Sequence, residues 1–273
     1  MVRAEGGHLR KGYVDTDFGQ VHYYADGAEG PPLFLFHETA LSANEFEKTL
    51  PHFARHCRAI ALDTPGYGMS DPPPAPLTMG EIAERMVAAI DSFGSGPCAL
   101  VGAHTGASIA LELAANWMPE RTTHLVLSGM SLHSETENAA FRKIIGQPVI
   151  KRDGSHLIEG WNKRVKRWAE ANNDDLEMLH WGMIEQLRVY KRFHWAFEAT
   201  FAHDNKSAMK KLTCPTYFLI GERDSLVANE EIWAELVPQA ERKIIAGAGG
   251  RLPYAEPELY AREVLGFLGL PVD

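Results

Sequence analysis

The sequence predicts an α/β protein built on a doubly wound, mostly parallel sheet. Two observations predict it: short, continuously apolar runs recur along the chain, and amphipathic segments with helical spacing separate them. Continuous apolarity is typical of strands buried on both faces of a parallel sheet. The alternation of such strands with helices predicts βαβ units, because each crossover returns the chain to the same sheet.

The predicted strands follow one another from the N-terminal part of the chain. A hairpin turn at 18–20 precedes the strand 21–25, and the apolar run 32–36 ends directly before His37. The further runs that we predict to be strands are 57–62, 98–101, 125–127, 216–220 and, more weakly, 242–245.

Helical periodicity marks the segments between these strands. Segment 79–93 carries apolar residues at near-helical spacing, and a small-residue segment at 107–117 ends before Pro119. The segments 230–236 and 257–268 complete the predicted helices of the core.

One long segment, 133–208, breaks the alternation because it contains no convincing buried strand. We expect it to form a helical lid inserted after the sixth strand, with 1–132 and 209–273 forming the core. Its aromatic residues exceed what a short insertion needs for its own packing, so some are expected to form an apolar pocket wall. The residues predicted for that wall are Trp161, Trp181, His194 and Trp195.

Composition excludes several classes of partner. The chain has 273 residues and a formal net charge of −9, which argues against binding nucleic acid or an anionic membrane. No run of about 18 apolar residues occurs, and the N-terminus lacks a signal-peptide pattern, so a cytoplasmic location is expected.

The three cysteines are far apart and predict buried thiols rather than disulfides: Cys57, Cys98 and Cys214.

Five short motifs together resemble the α/β-hydrolase superfamily across nearly the whole chain. In chain order they are Leu-Phe-His at 35–37, Asp-Thr-Pro-Gly-Tyr-Gly-Met-Ser-Asp at 63–71, Gly-Ala-His-Thr-Gly at 102–106, Gly-Glu-Arg-Asp at 221–224 and Gly-Ala-Gly-Gly-Arg-Leu-Pro at 247–253. The resemblance implies that fold. It also implies an active site built around a nucleophile on a tight strand-to-helix turn, the nucleophile elbow.

The residues at the implied catalytic positions depart from the family pattern. The elbow pattern is G-x-S-x-G, but His104 stands where the nucleophile is expected, followed by Thr105 at the position whose N–H helps to bind an oxyanion. The last loop commonly carries the catalytic histidine, whereas this chain has Gly250 there, or Arg251 after a one-residue shift. Of the three triad positions, only that of the acid, Asp224, carries the residue type that the family pattern expects.

A third departure lies beside the implied oxyanion hole, where Glu38 follows His37 in place of the usual glycine. A carboxylate there would repel a developing oxyanion, so it better suits proton transfer or the holding of an imidazolium. The alternative is a solvated turn residue or a helix cap. His37 is expected to bond to the neighbouring backbone, as in relatives.

The Ser-His-Asp relay cannot operate with two of its three parts missing. A histidine, with an ordinary pKa of ~6.5, can still act as a base or attack an activated acyl group directly. Backbone N–H groups near Thr39 and Thr105 would hold the oxyanion. These groups suffice for an activated ester, a lactone or a retro-aldol type cleavage.

The sequence therefore predicts a cofactor-free enzyme that cleaves an ester, lactone or C–C/C–O bond in a small, mainly apolar carbonyl compound. His104 would be its base or nucleophile, and Asp224 or Glu38 would set the protonation of neighbouring groups. No metal site is expected. A non-hydrolytic lyase or cyclase is one alternative, and a pseudoenzyme or ligand-binding protein is another. For Asp224 itself, a structural pairing with Arg251 is the alternative. A homodimer is left open.

Overall fold

An eight-stranded sheet forms the centre of the fold, in a computed structural model that describes residues 9–132, 134–145, 149–169 and 175–272. The strands are arranged in the order β1-β2-β4-β3-β5-β6-β7-β8. Their bounds are β1 Arg10–Thr16, β2 Gly19–Asp26, β3 Pro32–Phe36, β4 Arg58–Leu62, β5 Cys98–Ala103, β6 Thr122–Ser128, β7 Thr216–Gly221 and β8 Glu241–Ile245.

The predicted fold class is confirmed. β2 pairs antiparallel with β1 and with β4, and all later pairings are parallel. The carboxyl ends of β3, β5 and β7 therefore lie along one edge of the sheet, and the loops that follow them can bring their residues together.

Helices flank the sheet and fill the connections between its strands. The described α-helices are α1 Leu50–Phe53, α2 Met79–Asp91, α3 Thr105–Glu112, α4 Glu135–Ile145, α5 Ser155–Trp168, α6 Leu176–Val189, α7 Trp195–Ala202, α8 Asn205–Met209, α9 Glu230–Leu236, α10 Leu252–Ala255 and α11 Pro257–Phe267. The helix predicted over 107–117 begins earlier, at Thr105, and continues beyond Glu112 as a π-helical turn at Leu113–Trp117. None of the described helices has both the length and the apolarity that a membrane span needs.

Two apolar layers cover the two faces of the sheet. Along β3, Phe34 and Phe36 pack into the layer that contains α2 and α3, whereas Leu33 and Leu35 pack into the layer that contains α1 and α11. This division follows from the alternation of side chains along a strand. It explains the continuous apolarity of the run 32–36, because both faces of β3 are buried.

The insertion between β6 and β7 carries α4 to α8, in the place predicted for the lid. His133, 146–148 and 170–174, which belong to the predicted lid segment, lie outside the described residues. The insertion packs on the loop after β4, where the Tyr67 hydroxyl donates to the carbonyl of Arg192 at 3.0 Å and accepts from the N–H of Ala196 at 2.9 Å. Its action as a lid stays a prediction.

The turn from β5 into α3 depends on glycines that allow close backbone contact. A Cβ on Gly106 would overlap the carbonyl oxygen of Phe36, and one on Gly102 would overlap the backbone of Gly106 and Ala107. Small residues therefore let α3 begin directly against β3, which fixes the position of the intervening His104.

Replacement of Gly106 tests this close contact. We expect Gly106→Ala to lower the free energy of unfolding by about 2 kcal/mol or more, because the added methyl group forces backbone to move. Gly96→Ala is the matched control, since a Cβ at Gly96 meets no atom within 4 Å. Urea unfolding of both variants measures the difference, and equal stabilities would contradict the proposed packing.

Candidate active site

His104 occupies the turn between β5 and α3 in a conformation that few non-glycine residues adopt. Its backbone has φ 49° and ψ −110°. Positive φ in a non-glycine residue is uncommon and costs free energy. The backbone is held on both sides, because the N–H of His104 donates to the carbonyl of Ser128 at 2.8 Å and its carbonyl accepts from Ala107 at 3.0 Å. The histidine is thus presented on the strained turn where the superfamily carries its nucleophile.

The imidazole of His104 is bonded to Asp224, which lies in the loop after β7. Nε2 of His104 is 2.8 Å from Oδ2 of Asp224. The second oxygen of Asp224 accepts the N–H of Leu226 at 2.8 Å, which orients the carboxylate. Because a carboxylate only accepts hydrogen bonds, Nε2 carries the proton.

Two glycines leave the space that this ring occupies. A Cβ on Gly250 would lie 3.0 Å from Oδ2 of Asp224 and 3.7 Å from Nε2 of His104. A Cβ on Gly129 would lie 2.8 Å from the ring of His104. The ring of His104 therefore meets Asp224 beside Gly250, the position at which the resemblance expects the catalytic histidine.

Glu38, in the loop after β3, is buried and ion-paired. Its Oε1 accepts from Nε of Arg251 at 2.9 Å and lies 2.8 Å from Nη2 of the same guanidinium. Its Oε2 lies 3.7 Å from Nδ1 of His104. The alternative of a solvated turn residue is wrong, because Glu38 lies between the imidazole and a buried arginine. The alternative pairing of Asp224 with Arg251 is also wrong, since Arg251 binds Glu38.

A second buried carboxyl, Glu45, supports this loop and was missed by the sequence analysis. The N–H of Glu38 donates to Oε2 of Glu45 at 2.8 Å. Burial, together with the charge of Glu38, raises the pKa of Glu45 to about 8. Glu45 is therefore largely protonated at neutral pH. No motif marks it, because its role follows only from its position beneath the loop.

The charges around His104 determine its protonation. Burial on its own would lower the pKa of His104, but the charge of Asp224 and its hydrogen bond, with Glu38 and Glu45, raise it to about 9. The ring is therefore an imidazolium at neutral pH and loses its proton only as the pH rises through about 9.

The two threonines predicted to hold an oxyanion lie together but bind each other. The N–H of Thr39 donates to Oγ1 of Thr105 at 2.7 Å, and the two hydroxyls are 2.8 Å apart. The Thr105 hydroxyl thus occupies the place where a substrate oxygen would meet the Thr39 N–H. This contact must open before the Thr39 N–H can bind a developing oxyanion.

His37 has a structural role. Its Nε2 accepts the N–H of Thr64 at 2.9 Å, so the ring proton lies on Nδ1, which donates to the carbonyl of Glu38 at 2.9 Å. Burial lowers the pKa of His37. The bond to the carbonyl of Glu38 is the contact with neighbouring backbone that the sequence predicts, and the bond to Thr64 joins the loops after β3 and β4 as well.

The four residues predicted to form a pocket wall lie on three helices of the insertion, α5, α6 and α7, and make different contacts. Trp181 on α6 stacks on Tyr254 of α10 at 5.2 Å, three residues after Arg251 in the chain. Trp161 on α5 contacts His180 edge-on at 6.3 Å, which joins two helices of the insertion. His194 and Trp195 lie half-buried at the start of α7, and their place in a pocket wall stays a prediction.

Within the described residues, no group of three or more His, Cys, Asp or Glu side chains is placed to hold a metal ion.

Comparisons with known proteins agree with this fold. Residues 31–254 match the family model of the alpha/beta hydrolase fold. A solved structure similar to this chain is the enol-lactonase from Burkholderia xenovorans LB400, with a TM-score of 0.78 and 17% sequence identity over 94% of this chain and 100% of that chain.

Two of the curated relatives of the chain are named as esterases. The chain is 25% identical over 268 residues to the carboxylesterase YbfK of Bacillus subtilis (strain 168), covering 94% of this chain and 86% of the relative. It is also 25% identical over 239 residues to the pimeloyl-[acyl-carrier protein] methyl ester esterase of Xylella fastidiosa (strain M23), covering 82% and 89%. The chain belongs to the α/β-hydrolase fold family and is an enzyme of that family.

Proposed function

We propose that the chain is a cofactor-free hydrolase of small, mainly apolar carbonyl compounds, cleaving an ester, a lactone or a C–C/C–O bond with His104 in place of the family's serine. The hydrogen bond between Nε2 of His104 and Asp224, 2.8 Å long, carries the proposal. It supplies the carboxylate-oriented imidazole that acyl transfer needs for proton transfer. The names of the two relatives described above, both esterases, support hydrolysis as the reaction.

The reactive atom of the ring is Nδ1. Nε2 donates to Asp224, so the only nitrogen left to accept a proton or to attack a carbonyl is Nδ1. Nδ1 lies 3.7 Å from Glu38, beyond direct hydrogen-bond distance. Nδ1 is therefore the ring atom left to bind water or substrate.

The proposed reaction uses the neutral ring, which is the minor form at neutral pH and becomes the main form as the pH rises through about 9. Nδ1 takes a proton from water while the water oxygen attacks the carbonyl carbon, and Asp224 stabilises the resulting imidazolium through Nε2. That proton then passes from Nδ1 to the leaving alkoxide or carbanion, which regenerates the neutral imidazole. With direct attack, Nδ1 bonds to the carbonyl carbon and the bond to the leaving group breaks, so that the leaving group departs and takes a proton from water. Hydroxide then cleaves the resulting acyl-imidazolium to the carboxylic acid and the neutral imidazole. In both routes the Thr105 hydroxyl rotates away from the Thr39 N–H, which then binds the oxyanion.

A non-hydrolytic lyase or cyclase is the second candidate. The contact between Thr39 and Thr105 favours it, because such a reaction can proceed without a free oxyanion donor at Thr39. Its product would contain no added water and, for a cyclase, would be isomeric with the substrate. For either reaction the proposal includes a cytoplasmic location and a small molecule as the partner.

Replacement of His104 tests the proposed function. We expect His104→Ala to lower kcat by about 10²- to 10⁴-fold, because the proton-transferring group is lost. Turnover of a panel of 4-nitrophenyl esters and γ-lactones measures the loss, and circular dichroism checks that the fold is kept. Full activity in a folded His104→Ala variant would refute the role of His104.

A double replacement tests whether His104 has taken the place of the loop histidine. His104→Ser/Gly250→His returns both groups to their usual family positions beside Asp224. We expect this variant to react with a fluorophosphonate at the elbow, because a serine–histidine–aspartate arrangement activates the hydroxyl.

The single His104→Ser variant is the control for that experiment, since its serine lacks a base. Intact-protein mass spectrometry follows the covalent adduct. Equal labelling of the folded single and double variants would contradict the inferred position of Gly250.

A further inference from the structure

Two arginines are buried beside the proposed site. Arg164, on α5, is 5% exposed, and Arg251, at the start of α10, is 6% exposed. Arginine is almost never buried to this extent without a charged partner. Arg251 has such a partner in Glu38, whereas Nη2 of Arg164 donates to the neutral amide of Gln186 at 2.6 Å.

The free ends of the two guanidinium groups converge on one point. A Cβ built on Gly182 of α6 would lie 2.8 Å from Nη1 of Arg164 and 3.0 Å from Nη1 of Arg251. Both Nη1 atoms, and Nε of Arg164, are buried and have no hydrogen-bond partner among the described residues. Unsatisfied buried donors are costly, so their convergence points to a ligand that accepts hydrogen bonds.

The charge balance of the cluster has the same implication. Glu38 is ion-paired with Arg251, while Nη2 of Arg164 donates to the neutral amide of Gln186, and no carboxylate of the described residues is ion-paired with Arg164. Burial and the charge of Arg251 lower the pKa of Arg164 to about 9, although Glu38 opposes this shift. The guanidinium of Arg164 is therefore left without a counterion among the described residues, which is unfavourable unless an anion binds.

We propose that Arg164 and Arg251 form the binding site for a carboxylate of the substrate. The proposal rests on the proposed function and deepens it: the substrate is a mainly apolar carbonyl compound that also carries one carboxylate group. A single negative charge would pair with the guanidinium of Arg164, and guanidinium groups bind carboxylate oxygens through paired N–H donors. Glu38 binds Arg251 and lies 3.7 Å from Nδ1 of His104, so Arg251 lies close to the reactive ring. In the substrate, the carboxylate and the carbonyl that is cleaved would therefore be separated by only a few atoms.

Two esters of equal acyl length test the proposal. They are the glutarate mono-4-nitrophenyl ester, which carries a carboxylate, and 4-nitrophenyl pentanoate, which is neutral. For the wild-type enzyme we expect kcat/KM to be about 10- to 100-fold higher with the charged ester, in keeping with hydrogen bonds between charged groups. In Arg164→Gln we expect this ratio to fall close to one.

Lys163→Gln is the matched control. Lys163 precedes Arg164 on α5 but is exposed, so its replacement removes the same charge without changing the buried pair. We expect this variant to keep the wild-type preference. Equal preference for the charged ester in the Arg164→Gln and Lys163→Gln variants would overturn the proposal.

Glutarate binding, followed by calorimetry, gives a readout that needs no turnover. We expect wild type to bind glutarate, and Arg164→Gln and Gly182→Ala to bind it at least about tenfold more weakly. Gly182→Ala keeps both charges but adds a methyl group where the guanidinium ends converge, and those flexible ends can move to accommodate it.

The outcomes separate this proposal from the proposed function. Glutarate binding that depends on Arg164, without cleavage of either ester or of any lactone, would support the carboxylate site and count against hydrolysis. Cleavage of both esters at equal rates, with no glutarate binding, would refute the carboxylate site and leave hydrolysis standing.

Discussion

The hydrogen bond between His104 and Asp224 is the interaction on which the rest of the site depends. It joins the elbow after β5 to the loop after β7, and its 2.8 Å length requires the ring to lie in one narrow space. Glycines at 129 and 250 leave that space, and the glycines of the elbow let α3 begin against β3. The positive φ of His104 is the cost of presenting an imidazole there.

From this bond a chain of alternating charges extends through the site. Asp224 holds one side of the imidazolium, Glu38 lies near the other side, and Arg251 holds Glu38. Each charge in this buried series is stabilised by its neighbours, since isolated charges are costly away from water. Arg164 lies beside Arg251 at the end of this series and is ion-paired with no carboxylate of the described residues, so the proposed substrate carboxylate would lie between the two guanidinium groups.

The sequence was sufficient to predict the fold and the departures from the family pattern. Continuous apolar runs gave the positions of β3 to β7 because buried parallel strands have no polar face. The exposed strand β1 at the edge of the sheet has no such run and was not predicted. The motif around 102–106 showed that the elbow carries a histidine, and the retained Asp224 had a clear place after β7. These are local patterns, and local patterns are visible in one sequence.

The pairings within the site could not be predicted because they join residues far apart in the chain. Asp224 was the partner that the sequence offered for Arg251, and only the loop geometry selects Glu38 instead. Arg164 stands among Lys163, Lys166 and Arg167, and a basic run of this kind usually faces water. Its burial follows from the rotation of α5 against α6, which spacing alone does not fix. Glu45 gave no signal because its position beneath the loop after β3 is a tertiary feature.

The protonation of His104 gives the most direct test of the pairing with Asp224. The measurement is a pH titration of ¹⁵N-labelled histidine by NMR, with the His104→Gln variant used to assign the resonance. We expect His104 to titrate with a pKa of about 9 and to keep its proton on Nε2 in the neutral form, and Asp224→Asn to lower that pKa. A wild-type His104 that titrates near the ordinary value of ~6.5 would contradict the pairing.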